Sequence, residues 1–255
     1  MFMTASRSAL GAALCAALGL MTFALPSQAG LMLGGTRLIY DGNKPNAVIS
    51  LTNTADRPYA VQVWVNTAAD DDSIAVPFIA TPPLHRLAAK KEQLLRITRV
   101  PGDLPQDRES VFYLNTQEIP SNEAGDENSL KIALRTRIKL FYRPPGLKGN
   151  PLDAPRALAW SVLQDNGRTV LQVDNPTPYH ITFNAIEVDA GGRNARLNDA
   201  AMAAPLSRQR YVLDALSGAP PLKVTYSVIN DYGGYSAPAT VTAQPATLLG
   251  AAPAR

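Results

Sequence analysis

From Thr36 onward no window of the chain holds a helical apolar period over three turns. What recurs is a short alternating run closed by turn residues, and that pattern points to an all-β protein. Arg37-Leu38-Ile39-Tyr40 ends at Asp41-Gly42, a pair suited to positive φ, and a second run follows over 47–52. Residues 59–65, Tyr-Ala-Val-Gln-Val-Trp-Val, alternate as a half-buried strand with a central tryptophan. Thr81-Pro82-Pro83 cannot continue a ladder because each proline lacks a donor, so it marks a break or a crossover between sheets. Further strands are predicted over 94–100, 111–119 and, after the polar turn 121–128, over 130–142. The stretch around 31–34 is interrupted by glycine and predicts little.

Arg143-Pro144-Pro145-Gly146 is a stiff elbow, and a fresh strand pattern begins beyond it at 157–163. The domain boundary is placed there. The second half repeats the β idiom, with Asp165-Asn166-Gly167 as a hairpin signal and strands over 170–173, 181–188 and 224–229. A length of 255 residues accommodates two such domains. The expected division is a leader over 1–29, a first domain over 30–143, a second over 144–246, and a frayed Ala/Pro-rich tail over 247–255.

Lys and Arg number 24 against 21 Asp and Glu, and a net charge of +3 is too small to announce a nucleic-acid or acidic-membrane partner. Arg7 precedes an apolar run from Ala9 to Leu25, and Ser27-Gln28-Ala29 supplies small residues at a cleavage position, which together read as a signal peptide. The run is about 17 residues, at the lower edge of a membrane span. Cys15, the only cysteine, lies within it after Leu14, where lipidation requires a small residue. The mature chain is therefore expected to lack cysteine in an oxidising compartment and to be stabilised by packing alone.

Six strings then carry a family resemblance: Gly35-Thr36-Arg37, Thr81-Pro82-Pro83-Leu84-His85-Arg86-Leu87, Leu104-Pro105-Gln106-Asp107-Arg108-Glu109-Ser110, Ile138-Lys139-Leu140-Phe141-Tyr142-Arg143-Pro144, Asn175-Pro176-Thr177-Pro178-Tyr179 and Ile229-Asn230-Asp231-Tyr232-Gly233-Gly234. In this order and over nearly the whole mature chain, they resemble the periplasmic pilus chaperones. The resemblance implies two immunoglobulin-like β-sandwich domains in an L-shaped arrangement. It also implies partners: pilus or fimbrial subunits that lack a final strand, and an outer-membrane usher that receives them. ATP, a cofactor and nucleic acid are not implied, and the free chain is expected as a monomer or a weak self-capped dimer.

The same resemblance assigns residues. Leu130, Ile132 and Leu134 match the strand that such chaperones lend to a subunit, although alternation alone would equally turn them toward the chain's own core. Arg37 and Lys139 match two cleft cations that grip the subunit's terminal carboxylate. Lys139 lies five residues beyond Leu134, so in an unbroken strand the two point to opposite faces. A bulge, a twist or recognition by both faces must reconcile them. Glu109, Arg143 and Asp231 match an ion triad that ties the domains together. His85 departs from the family's aromatic residue and is read as a locally packed histidine. The short turn 121–128 resembles the short-loop subfamily.

Two other classes remain to be weighed. With only His85 and His180, no thiol in the mature chain and no phosphate-cradling loop, metal, cysteine and ATP chemistry are poorly supported, while a Ser-His-Asp arrangement stays open. A pilus subunit or adhesin would be one incomplete domain with an alternating N-terminal extension, unlike two β-domains with basic cleft positions.

Overall fold

The computed structural model describes residues 30–71, 73–119, 132–214, 216 and 222–246. The expected leader, the turn 121–128, Leu130 and the tail over 247–255 lie outside them. Nine strands precede residue 144 among the described residues: β1 (Leu31–Leu33), β2 (Arg37–Asp41), β3 (Asn46–Asn53), β4 (Tyr59–Asn66), β5 (Phe78–Thr81), β6 (Leu84–Leu87), β7 (Glu92–Arg99), β8 (Ser110–Ile119) and β9 (Arg135–Arg143). They form a four-stranded sheet, β1-β3-β7-β5, and a five-stranded sheet, β2-β9-β8-β4-β6. Alternate residues of both sheets meet in one core. Leu51 of β3, Leu95 and Ile97 of β7, Val61 of β4, and Leu114 and Leu140 of β8 and β9 are fully buried there.

The Thr81-Pro82-Pro83 step falls between β5 in one sheet and β6 in the other, so the chain crosses between sheets where the prolines remove ladder donors. In β4, Val61 and Val63 turn inward while Trp64 lies on the outer face beneath the Arg135 guanidinium, 4.8 Å from its ring centroid. The strand predicted over 130–142 is observed only from Arg135. Among the described residues 132–134, the Leu134 carbonyl alone is bonded to β8, accepting from the Glu118 N–H at 2.9 Å, and β8 is described as far as Ile119.

Beyond the elbow, β10 (Ala159–Asp165), β11 (Arg168–Asn175), β12 (Phe183–Asp189), β13 (Asn194–Leu197), β14 (Ser207–Val212), β15 (Leu222–Val228) and β16 (Ala239–Pro245) form one sheet in the order β13-β12-β15-β16-β10-β11-β14. A short parallel pairing, Ser161 with Gln244 and Val162 with Pro245, joins its two halves. Both halves share a second core, in which the Trp160 ring lies 5.6 Å from Phe183 and 5.1 Å from Tyr226.

Each domain fixes one loop junction by the same device. Asn53 is fully buried at the end of β3, and its amide donates to the carbonyls of Arg57, Leu87 and Ala88 at 2.8–3.2 Å. Asn175 does the same at the end of β11, reaching the carbonyls of Tyr179, Ala203 and Ala204 at 2.8, 3.2 and 2.9 Å. Its Oδ1 also accepts from the Thr177 amide and hydroxyl. Asn175 thereby sets the turn that carries Tyr179 and His180 toward the first domain. Asn175→Ala removes these amide bonds and the acceptor for Thr177 and is expected to lower stability by about 1–3 kcal/mol, read by denaturant unfolding.

Candidate functional site

β2 and β9 run parallel, with Arg37 opposite Lys139 and Asp41 opposite Arg143. Along β9 the side chains of Ile138, Leu140 and Tyr142 enter the first core. Lys139, Phe141 and Arg143 therefore point the other way, toward the second domain. Two cations consequently sit side by side on the face that meets a neighbour.

Among the described residues no carboxylate is bonded to either of them. Arg37 donates from Nη1 to the Ile229 carbonyl at 3.0 Å, its guanidinium lies 5.8 Å from the Phe141 ring centroid, and its buried Nε has no hydrogen-bond partner. Burial pulls its pKa down, against the attraction of Asp231 and Glu109. Lys139 makes no ion pair or side-chain hydrogen bond among the described residues; burial first, and the nearby Arg37 charge second, hold its pKa below the ordinary 10.5. Both line a hollow completed by Thr36, Tyr113, Arg137, Ile229, Gly233 and Tyr235. Arg137 is already engaged, since it donates to Asn66 Oδ1 and the Thr67 carbonyl and lies 3.9 Å from the Tyr113 ring centroid. An anion with several acceptor sites is the ligand chemistry that this pair of donors lacks.

Next to the cations the sheet edge is open. β2 pairs with β9 only from Lys139 onward, so the β2 side of residues 132–138 carries no strand among the described residues. Ile132 is 64% and Leu134 48% exposed. The β8–β9 register runs unbroken from Gln117↔Arg135 to Ser110↔Tyr142, so no bulge reconciles Leu134 with Lys139. Leu134 has the parity of the core-facing Ile138 and Leu140, yet it immediately precedes β9 and lies outside the first core. The two groups thus belong to opposite faces of one extended segment, and Leu130, the third apolar residue of the series, falls outside the described residues.

The elbow is built from both domains. Arg143 donates from Nε to Glu109 Oε1 at 2.8 Å and from Nη1 and Nη2 to the two oxygens of Asp231 at 2.6 and 2.7 Å. Burial alone would lower its pKa, but Asp231 and Glu109 together raise it above the ordinary value. The structure brings the three residues together, and it adds one that sequence reasoning missed. Glu109 Oε2 accepts the backbone N–H of His180 at 2.8 Å and lies 2.8 Å from its Nδ1, while the Glu109 amide donates to the Pro178 carbonyl at 2.9 Å. Nothing in the sequence marked His180, because its partner is 71 residues away and half of the contact is backbone. His85, by contrast, is partly buried on β6, where burial holds its imidazole below the ordinary 6.5.

Comparison with known proteins matches a family over most of the described chain. Residues 30–148 match a family described as pili and flagellar-assembly chaperone, PapD N-terminal domain, and residues 153–240 match pili assembly chaperone PapD, C-terminal domain. The chain is similar to the probable fimbrial chaperone YadV of Escherichia coli strain K12, 40% identical over 223 residues that cover 84% of this chain and 90% of the relative. It is similar also to chaperone protein FimB/FhaD of Bordetella pertussis, 39% identical and covering 89% and 94% of the two chains. Among solved structures, the YadV chaperone crystal structure superposes with a TM-score of 0.72 at 38% identity, covering 84% of this chain and 100% of that one. A chain from the Salmonella enterica complex of SafA pilin with the SafB chaperone gives 0.71 at 30% identity, covering 86% and 98%.

Proposed function

The chain belongs to the PapD-type family of pili-assembly chaperones, and from that membership we propose that it holds pilus subunits in the periplasm by lending them a strand. In this reading the leader is removed near Ala29, and the segment from Leu130 through Ile132 and Leu134 into β9 completes a subunit's unfinished sandwich. The subunit is then passed to an outer-membrane usher without ATP. Arg37 and Lys139 receive the subunit's terminal carboxylate and so fix the register of pairing.

The observation that carries this reading is the open edge over 132–138, with Ile132 and Leu134 exposed on the same extended segment as Lys139, a cation with no counter-ion among the described residues. Backbone groups at an open edge accept a further strand, and alternate side chains select it. Burying Ile132 and Leu134 in a partner contributes roughly 1.5–3 kcal/mol each before association costs. Glu109, Arg143 and Asp231 serve as the device that fixes how the second domain faces this edge.

The test is coexpression with a candidate subunit. Ile132→Asp combined with Leu134→Asp changes two exposed side chains, so the chain itself is expected to fold with a stability change within about 0.5 kcal/mol. Recovery of soluble subunit is expected to fall to the level seen without chaperone. Undiminished recovery would contradict strand donation by this segment.

A further inference from the structure

The loop between β15 and β16 is held rigidly and yet presents aromatic rings to solvent. Asn230 Oδ1 accepts the amides of Tyr232 and Gly234 at 3.0 Å, the Asn230 amide donates to the Gly234 carbonyl at 2.9 Å, and Ile229 and Tyr235 form an isolated antiparallel bridge. Asp231 is fixed by Arg143. Gly233 has φ +80°, and a Cβ there would lie 2.6 Å from Thr36 Oγ1, so the loop backbone rests directly on the residue before Arg37. Only glycine allows that approach. Despite this anchoring, Tyr235 is 70% and Tyr232 88% exposed. Among the described residues neither ring meets another ring or a cation, whereas Phe141 and Tyr113 are already covered by Arg37 and Arg137. Tyr235, and not Tyr232, lines the hollow that holds Arg37 and Lys139.

We propose that Tyr235 is the second domain's contact for the last residue of the bound subunit, its ring packing against that residue's side chain while the two cations hold the carboxylate. A pre-ordered tyrosine supplies contact area at little entropic cost, which suits it to be an interface anchor. The ligand class is a chain-terminal residue with an apolar or aromatic side chain on a free carboxylate. The inference rests on the carboxylate role of Arg37 and Lys139. Its distinct content is that the second domain reads the terminal side chain.

The experiment measures binding of synthetic peptides of alternating apolar and polar residues to the full chain by titration calorimetry. One peptide ends in Phe and one in Gly, each with a free and with an amidated terminus. Tyr235→Ala is expected to weaken the free-acid Phe peptide roughly tenfold and to leave the Gly peptide unchanged. Tyr235→Phe retains the ring and restores the affinity, and Tyr232→Ala changes neither peptide. If amidation abolishes binding while Tyr235→Ala has no effect on the Phe peptide, or weakens both peptides equally, this inference falls and the carboxylate reading stands. If amidation has no effect, the carboxylate reading falls and takes this inference with it.

Discussion

Arg37→Ala and Lys139→Ala are each expected to abolish recovery of soluble subunit on coexpression, while Lys139→Ala leaves the free chaperone as stable as before and Arg37→Ala costs it about 1 kcal/mol for the lost bond to the Ile229 carbonyl. For Lys139 the two halves of this result have one cause. Lys139 is partly buried with no counter-ion among the described residues, and Arg37 keeps a buried Nε without a partner. Unpaired buried charge opposes folding, so removing Lys139 forfeits no pairing in the free chain, whereas removing Arg37 gives up its bond to the Ile229 carbonyl and its contact with Phe141. The same charge becomes favourable only when a carboxylate arrives, and charge-assisted bonds to it are about twice as strong as neutral ones. The pH dependence follows with opposite signs. The Lys139 pKa is lowered in the folded chain, so between that value and the unfolded 10.5 the unfolded state binds more protons and stability rises with pH. Subunit affinity falls over the same alkaline window, because the ammonium that grips the carboxylate is lost. Equal recovery with either variant, or a free chain strongly destabilised by Lys139→Ala, would contradict the assignment.

The second large effect belongs to the elbow. Arg143→Ala is expected to cost about 3–5 kcal/mol, the loss typical of removing one partner from a buried ion pair. Glu109 is 3% exposed and would be left with His180 alone, while Asp231 would lose both of its guanidinium bonds. Arg143→Lys keeps the charge but loses the planar fork that bridges Glu109 and Asp231, and should recover only part of the loss. Denaturant unfolding of Arg143→Ala, Asp231→Asn and the double variant gives the coupling directly. A loss below about 1 kcal/mol for Arg143→Ala would reduce the triad to an ordinary surface pair.

Much of this was legible in the sequence, for physical reasons that differ from residue to residue. Strands with one buried face announce themselves, and the run expected over 59–65 is observed as Tyr59–Asn66. The proline step at 81–83 showed where the chain changes sheets, because a missing donor is a local property. Edge and crossover strands did not show. β13 and β14 carry almost no buried side chains, and β5 and β6 have four residues each, so none displays a period long enough to recognise. Among the described residues the strand expected from Leu130 begins at Arg135, because a strand extends only where a partner bonds it, and of residues 132–134 Leu134 alone bonds β8. At the site, Arg37, Lys139, Glu109, Arg143 and Asp231 were found through family strings. His180 and Tyr235 were not, since one acts through a distant carboxylate and the other through exposure, which sequence does not reveal.

Amide hydrogen exchange across residues 132–138 tests strand donation most directly. The free chain should exchange rapidly at the amides on the β2 side of this segment, which have no strand partner among the described residues. A purified complex with a subunit should protect those same amides to the level of the β8-paired positions. Protection elsewhere on the chaperone, with residues 132–138 still exchanging as in the free chain, would mean that the subunit is held by another surface.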